Sequence, residues 1–234
     1  MGKLGVVVVA GGKGSRMRSL DSKQYLQLGD RPILIHTLEL FEHIQEVDEI
    51  VLVVGERDLE RNQAYLQQYG LTKVTKILAG GLHRQESVHI GIQGLSPNTE
   101  WVLVHDGVRP FVTANQIRAC WRKAMVCDAA VLAVPVKDTI KVVNESGRIE
   151  STPNRNSLWS IQTPQAFRLD LIREAHHRAD QDLFLGTDDA MLIERMGIQV
   201  SVVEGDYYNI KITTPEDLAW AQWIHRNVRG AIDQ

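Results

Sequence analysis

A chain of 234 residues is long enough for one large α/β domain with a well-shielded core. Its 26 basic and 29 acidic side chains leave a formal charge of −3, which excludes nucleic-acid binding through a bulk basic field; any anion must be met by a local cluster of cations. No apolar run approaches the ~20 residues of a membrane span, and residues 5–9 run into a glycine turn rather than a cleavage site, so neither a membrane partner nor a signal peptide is expected.

Apolar, β-branched runs at 6–9, 50–54, 74–78, 101–105 and 129–134 read as strands. Their almost unbroken apolar character suits a parallel sheet covered on both faces. Helical patterns lie between them, at about 32–46, 57–69, 83–95 and 113–127. Pro32 reads as a first-turn proline, and Thr113 as an N-cap whose capping box is completed by Gln116. This alternation predicts an α/β fold with a doubly wound, mostly parallel sheet and right-handed crossovers. Cys120 and Cys127 fall two turns apart on one predicted helix, roughly 10 Å along its axis, too far to bridge. Reduced thiols point to a cytoplasmic chain.

The alternation breaks at 136–157, where two short strand-like pieces flank Asn144–Gly147 and predict a protruding β-hairpin. Two strands without a core of their own are marginal alone, so this arm is expected to pack on a second subunit, the alternative being a solvated excursion. Helices are expected again at 168–179 and 187–196, a strand at 199–203, and a last helix from Pro215 to about Arg229. The whole, 1–234, reads as a single domain with 136–157 as a β-arm for dimer contact.

The strongest local signal follows the first strand: Ala10-Gly11-Gly12-Lys13-Gly14-Ser15-Arg16-Met17. Glycines let backbone N–H groups line a concavity, and ligands of open α/β sheets sit beyond the carboxyl ends of strands. The third glycine of a dinucleotide fingerprint is missing, and no Walker run occurs. What remains is a glycine loop with Lys13, Arg16, Arg18 and then Lys23, a pattern suited to polyphosphate; without its cations it would be an ordinary turn. At the end of the 101–105 strand, Asp106 offers a carboxylate to the same crevice, and one carboxylate with substrate phosphates is enough for Mg²⁺. Arg109 is placed to pair with Asp106 or to meet phosphate. The structural alternative for Asp106 is an aspartate that caps the next turn.

With these segments in place the chain resembles, end to end, the 2-C-methyl-D-erythritol 4-phosphate cytidylyltransferases. The resemblance rests on the loop at 10–17, Lys23-Gln24-Tyr25, Gly80-Gly81 with Arg84 and Ser87-Val88, His105-Asp106 with Arg109-Pro110, Pro135-Val136 with Asp138-Thr139, Gln162-Thr163-Pro164-Gln165, Thr187-Asp188-Asp189-Ala190, and Asn209-Ile210-Lys211 leading to Thr214-Pro215-Glu216-Asp217. It implies a Rossmann-like nucleotidyltransferase fold. It implies that CTP and methylerythritol phosphate give the CDP-alcohol and pyrophosphate, with Mg²⁺, in the non-mevalonate route to isoprenoid precursors. By position, Arg16 and Lys23 match transition-state residues at the α-phosphorus, and Asp106 the metal-side aspartate. Gly81 and Ser87 match cytosine contacts beside Gly80. Ala10, Gly11 and Gly107 match the ribose and phosphate surroundings, with Gly12 and Gly14 in the same loop. Thr139, Arg155 and Lys211 match residues holding the sugar-alcohol phosphate, joined by Arg109. The resemblance also implies a homodimer in which the arm, with Thr139 and Arg155, serves the neighbouring site.

Among the remaining signals, none of the eight histidines shows metal-ligand spacing, and His105 reads as a strand-end residue with a local hydrogen bond. Thr187-Asp188-Asp189 reads most simply as a helix cap. Trp220 and Trp223 read as packing or interface residues. Three other functions compete: the same chemistry on ribitol 5-phosphate, transfer from UTP or GTP, and a non-catalytic nucleotide sensor, which would not need Arg16, Lys23 and Asp106 together.

Overall fold

The computed structural model describes residues 2–12 and 21–228. In chain order its strands are β1 (Lys3–Ala10), β2 (Gln27–Leu28), β3 (Arg31–Pro32), β4 (Val47–Val54), β5 (Val74–Ala79), β6 (Thr99–Asp106), β7 (Ala129–Pro135), β8 (Val142–Val143), β9 (Ile149–Ser151), β10 (Trp159–Arg168) and β11 (Ser201–Glu204). Its helices are α1 (Ile33–Glu42), α2 (Leu59–Tyr69), α3 (Arg84–Gly94), α4 (Ala114–Cys127), α5 (Leu169–Gln181), α6 (Asp189–Arg195) and α7 (Pro215–Asn227). Seven strands form one sheet in the order β11-β7-β10-β6-β1-β4-β5. Every neighbouring pair is parallel except those made by β10, which runs antiparallel to both β6 and β7.

The period-2 geometry of a strand sorts the apolar runs onto two faces. Val6, Val8, Ile50, Leu52, Leu103 and Leu132 meet Leu34, Leu38 and Phe41 of α1 and Ile117 and Trp121 of α4. Val7, Val51, Val53, Val102, Val104 and Phe167 meet Val88 and Ile92 of α3, Ile172 and Ala175 of α5, and Leu192 and Ile193 of α6. Because both faces are dry, β1, β4, β6 and β7 are built around runs of apolar residues. A smaller cluster of Leu28, Ile33, Val108, Phe111, Ile212, Ala221 and Ile224 seats α7 beside the carboxyl end of β6.

The Thr113–Gln116 capping box opens α4, and both cysteines are free thiols. Pro32 is corrected by one position: it precedes the first turn of α1 as the N-cap and pairs with Gln27. The larger correction is β10, which lies inside the sheet where no strand was expected. Pro164 and the polar Gln162, Thr163 and Gln165 mask the strand pattern. The ladder to β7 slips between Ile161 and Gln165, so the proline falls where no regular pairing is required.

The arm forms as expected. Asn144 Oδ1 accepts from the N–H groups of Ser146 (3.1 Å) and Arg148 (3.0 Å), and Gly147 supplies the positive φ of +74° that closes the turn. Every residue of β8 and β9 is exposed, Ile149 by 62%.

Candidate active site

Five chain segments, the last carrying Lys211, converge beyond the carboxyl ends of β1, β5 and β6. Ala10 ends β1 and passes into Gly11 and Gly12; its carbonyl accepts from Gln24 Nε2 at 2.7 Å, which draws the 3-10 turn Lys23–Tyr25 against the strand end. After β5 the chain turns at Gly80-Gly81 into α3. A Cβ at Gly80 would lie 2.7 Å from Ser87 Oγ, so the close approach requires glycine there. That hydroxyl accepts from Gly81 N–H (3.2 Å) and donates to His83 O (3.1 Å), fixing the turn.

Asp106 closes β6. Its carboxylate is 5% exposed as a residue and takes three cations: Arg84 Nε at 3.1 Å on Oδ1, and Lys211 Nζ at 2.9 Å and Arg109 Nε at 3.5 Å on Oδ2. Burial by itself would favour the neutral acid. Arg84, Lys211 and Arg109 outweigh it and hold the carboxyl far below the usual carboxylate range. Arg84 stays charged for the converse reason: burial opposes its charge, but it lies between Asp106 and Asp189, whose Oδ2 receives its Nη1 at 2.7 Å. Asp189 is wholly buried in the first turn of α6.

Behind Asp106 a chain of hydrogen bonds has one consistent direction. Asp106 N–H donates to Thr163 Oγ1 (3.0 Å), which contacts His105 Nδ1 (3.1 Å), while His105 Nε2 faces Arg109 O (3.1 Å). A carbonyl can only accept, so Nε2 carries the proton and Nδ1 receives that of the threonine. Burial pushes His105 down to about 4, so the ring is neutral and structural rather than a proton carrier for the cleft. Asn209 completes the wall, with Nδ2 donating to Gln162 Oε1 (3.1 Å) and Thr163 O (2.9 Å), and its carbonyl accepting from Arg109 Nη1 (2.7 Å).

Two clefts meet at this carboxylate. The first is lined by Ala10, Gly11, Gly12, Lys23, Gly81, Leu82, Ser87, Asp106 and Lys211, among others. The second is lined by Arg109, Gln162, Thr163, Thr187, Asp188 and again Asp106, Arg84 and Lys211. Lys23 and Asp106, 83 residues apart in sequence, thus share one cleft, as the sequence reading requires. Gly80 and Gly107 lie beneath it: Gly107 N–H donates to Val9 O (2.9 Å), and a Cβ there would stand 3.0 Å from Ala10 Cβ and Leu34 Cδ1. Gly14 and Arg16 fall outside the described residues. Thr139 and Arg155 are exposed on the arm segment and are not among the residues lining the two clefts; Arg155 Nη1 donates to Lys137 O at 3.0 Å.

Sequence reasoning placed Arg84 in a motif without a role and read Asp189 as part of a cap. In fact Asp188 is the cap, its Oδ1 accepting from Met191 N–H at 3.0 Å, while Asp189 turns inward to Arg84. The usable signal was two adjacent acids, of which a single N-cap needs only one.

Among the described residues no group of three or more His, Cys, Asp or Glu could hold a metal by itself. One ionised carboxylate facing a cleft is nonetheless the donor set that Mg²⁺ takes when phosphates supply the remaining oxygens.

A family model described as 2-C-methyl-D-erythritol 4-phosphate cytidylyltransferase matches residues 4–227. A curated relative with that name from Halalkalibacterium halodurans is 48% identical over 219 residues, which covers 94% of this chain and 95% of the relative. The crystal structure of 4-diphosphocytidyl-2C-methyl-D-erythritol synthase from Anaerococcus prevotii superposes with a TM-score of 0.86 at 32% identity, covering 97% of each chain. That of 2-C-methyl-D-erythritol 4-phosphate cytidylyltransferase from Thermus thermophilus gives 0.77 at 30% identity, covering 96% of this chain and 99% of the other.

Proposed function

Since the chain belongs to the 2-C-methyl-D-erythritol 4-phosphate cytidylyltransferase family, we propose that it makes CDP-methylerythritol and pyrophosphate from CTP and the alcohol phosphate by bringing two anions together in the paired clefts around Asp106. It is a nucleotidyltransferase of the non-mevalonate isoprenoid route. The observation that carries the assignment of roles is the meeting of the glycine turn, Lys23 and Asp106 in one cleft, with Lys211 reaching both.

The attacking group is a phosphate monoester oxygen, whose second pKa of about 6 leaves it largely ionised at neutral pH. No general base is needed, in keeping with a neutral, buried His105. The barrier is repulsion between the acceptor phosphate and the α-phosphate. Lys23, with Arg16, neutralises charge that develops as the oxygen–phosphorus bond forms and pyrophosphate departs. Backbone N–H groups of Gly11 and Gly12 face the triphosphate, and Gly81 and Ser87 face the cytosine. Lys211 and Arg109 hold the acceptor phosphate. Asp106, kept ionised by its neighbours, would hold Mg²⁺, which when bound supplies charge neutralisation at the triphosphate.

The arm completes this reading. Thr139 and Arg155 serve the acceptor site of a second copy in a homodimer, and the exposed apolar residues of the arm pack between subunits. No helix of the described residues is long and apolar enough to cross a membrane. Two free thiols support a cytoplasmic setting.

Pyrophosphate release from CTP is expected with methylerythritol phosphate and not with ribitol 5-phosphate; preference for ribitol 5-phosphate would overturn the acceptor assignment. Mixing Arg155→Ala and Lys23→Ala subunits should restore one active site per heterodimer. No recovery after confirmed subunit exchange would remove the shared site.

A further inference from the structure

Lysine carries its charge on a flexible four-carbon stem, so where Lys23 can act depends on where its backbone is pinned. The pinning comes from α2, a helix that contributes nothing to the first two clefts. Arg61 on α2 grips Asp21, two residues before Lys23, with both arms of its guanidinium: Nη1 to Oδ1 at 2.9 Å and Nη2 to Oδ2 at 2.8 Å. The same guanidinium lies over the ring of Tyr25, two residues after Lys23, 3.9 Å from its centroid. Its Nε donates to Tyr65 OH at 3.1 Å, which fixes the plane of the fork. The adjacent Asn62, buried, donates to Tyr25 OH at 2.7 Å and to Asp58 O at 2.7 Å. Gln24 meanwhile bonds Ala10 O. One side chain from outside the site therefore holds the backbone on both sides of Lys23.

We infer that Arg61 is a positioning residue for the reaction, setting the approach of Lys23 to the cleft through Asp21 and Tyr25. The inference rests on the reading of Lys23 given above. Stability is an insufficient reason for the arrangement, because the Arg61–Asp21 pair is partly exposed, at 35% and 45% of the side chains, and pairs of this kind add little to folding. A bidentate fork with a stacked aromatic has geometric specificity that a surface ion pair does not require.

The test uses the full chain. Arg61→Gln and Asp21→Asn should each lower kcat on the order of tenfold, as expected when a transition-state contact is displaced by a fraction of its reach. The Kd for CTP, measured calorimetrically, should stay within about twofold, because uniform binding is not what Lys23 supplies. Exchanging the charges, Asp21→Arg with Arg61→Asp, should recover a large part of the loss. Wild-type kcat in both single variants would overturn the inference. So would a Kd for CTP that rises in step with falling kcat, or a charge-exchanged chain no better than the singles. Should Arg61→Gln fail to fold, Asp21→Asn alone decides, since Asp21 is exposed. Lys23→Ala belongs in the same series: normal turnover there would remove the role of Lys23 itself and this inference with it, whereas loss of turnover there with unaltered Arg61 and Asp21 variants would remove the inference alone.

Discussion

The carboxylate at the end of β6 and the arm of β8 and β9 lie at opposite extremes of burial. Asp106 is enclosed and meets Arg84, Lys211 and Arg109 within its own chain. The arm exposes Ile140, Val142, Val143 and Ile149, each by more than two-fifths. A preorganised charge cluster works only if its geometry is set before substrate arrives, so the chain completes it internally. An apolar ribbon without a core gains from burial only when a partner covers it, so its geometry can wait for assembly. In the proposed dimer, one chain thus contains a finished half-site and an unfinished one.

The largest effect should come from the finished half. Lys23→Ala is expected to lower kcat on the order of 10²–10³ with the fold intact by circular dichroism. Turnover near that of the parent chain would break the assignment of the cleft. Next, Phe167→Ala, which opens a hole in the core between the sheet and α3, α5 and α6, should cost about 3–5 kcal/mol in urea unfolding. By contrast Ile149→Ser on the arm should change the stability of an isolated subunit by less than about 0.5 kcal/mol. The pair Val142→Asp and Ile149→Asp should instead dissociate the proposed dimer, read by light scattering; a dimer that survives both would show that the arm is a solvated excursion.

A smaller effect should appear with pH. His105 and His176 are pushed down by burial to about 4 and about 3, whereas the unfolded chain protonates near the ordinary value of 6.5. Below 6.5 the unfolded state therefore binds protons that the folded state refuses, and stability falls as pH drops toward 4. Urea midpoints measured across that window should decline in the parent chain and decline less in His105→Gln. Asp106 adds nothing there: its folded value lies far below the ordinary one, so its contribution is complete above about pH 4 and is lost only below it.

Much of the fold was legible because the decisive signals were local. Unbroken apolar runs announced the covered strands β1, β4, β6 and β7, and Thr113 with Gln116 announced the start of α4. The strand that failed to announce itself, β10, carries polar residues because it builds the site: Thr163 bonds Asp106 and Gln165 tethers α6 through Asp188 and Ala190. The site divides the same way. Glycines at 11 and 12 and the aspartate at 106 were found by their places at predicted strand ends, whereas Gly81 was placed only by the family resemblance. Arg84 with Asp189, and Arg61 with Asp21, were beyond reach, because an ion pair spanning 105 or 40 residues leaves no periodicity to read.

The sequence by itself determined that β1, β4, β6 and β7 are strands buried on both faces, that a glycine turn follows the first of them, and that a two-stranded excursion interrupts the alternation, since each follows from side-chain chemistry within a few residues. Only the tertiary structure decided that β10 enters the sheet antiparallel, that three cations close on Asp106, and that α2 holds the turn carrying Lys23. Those outcomes depend on which distant groups the packed sheet brings within 3 Å or so of one another, a consequence of chain topology that local composition does not encode.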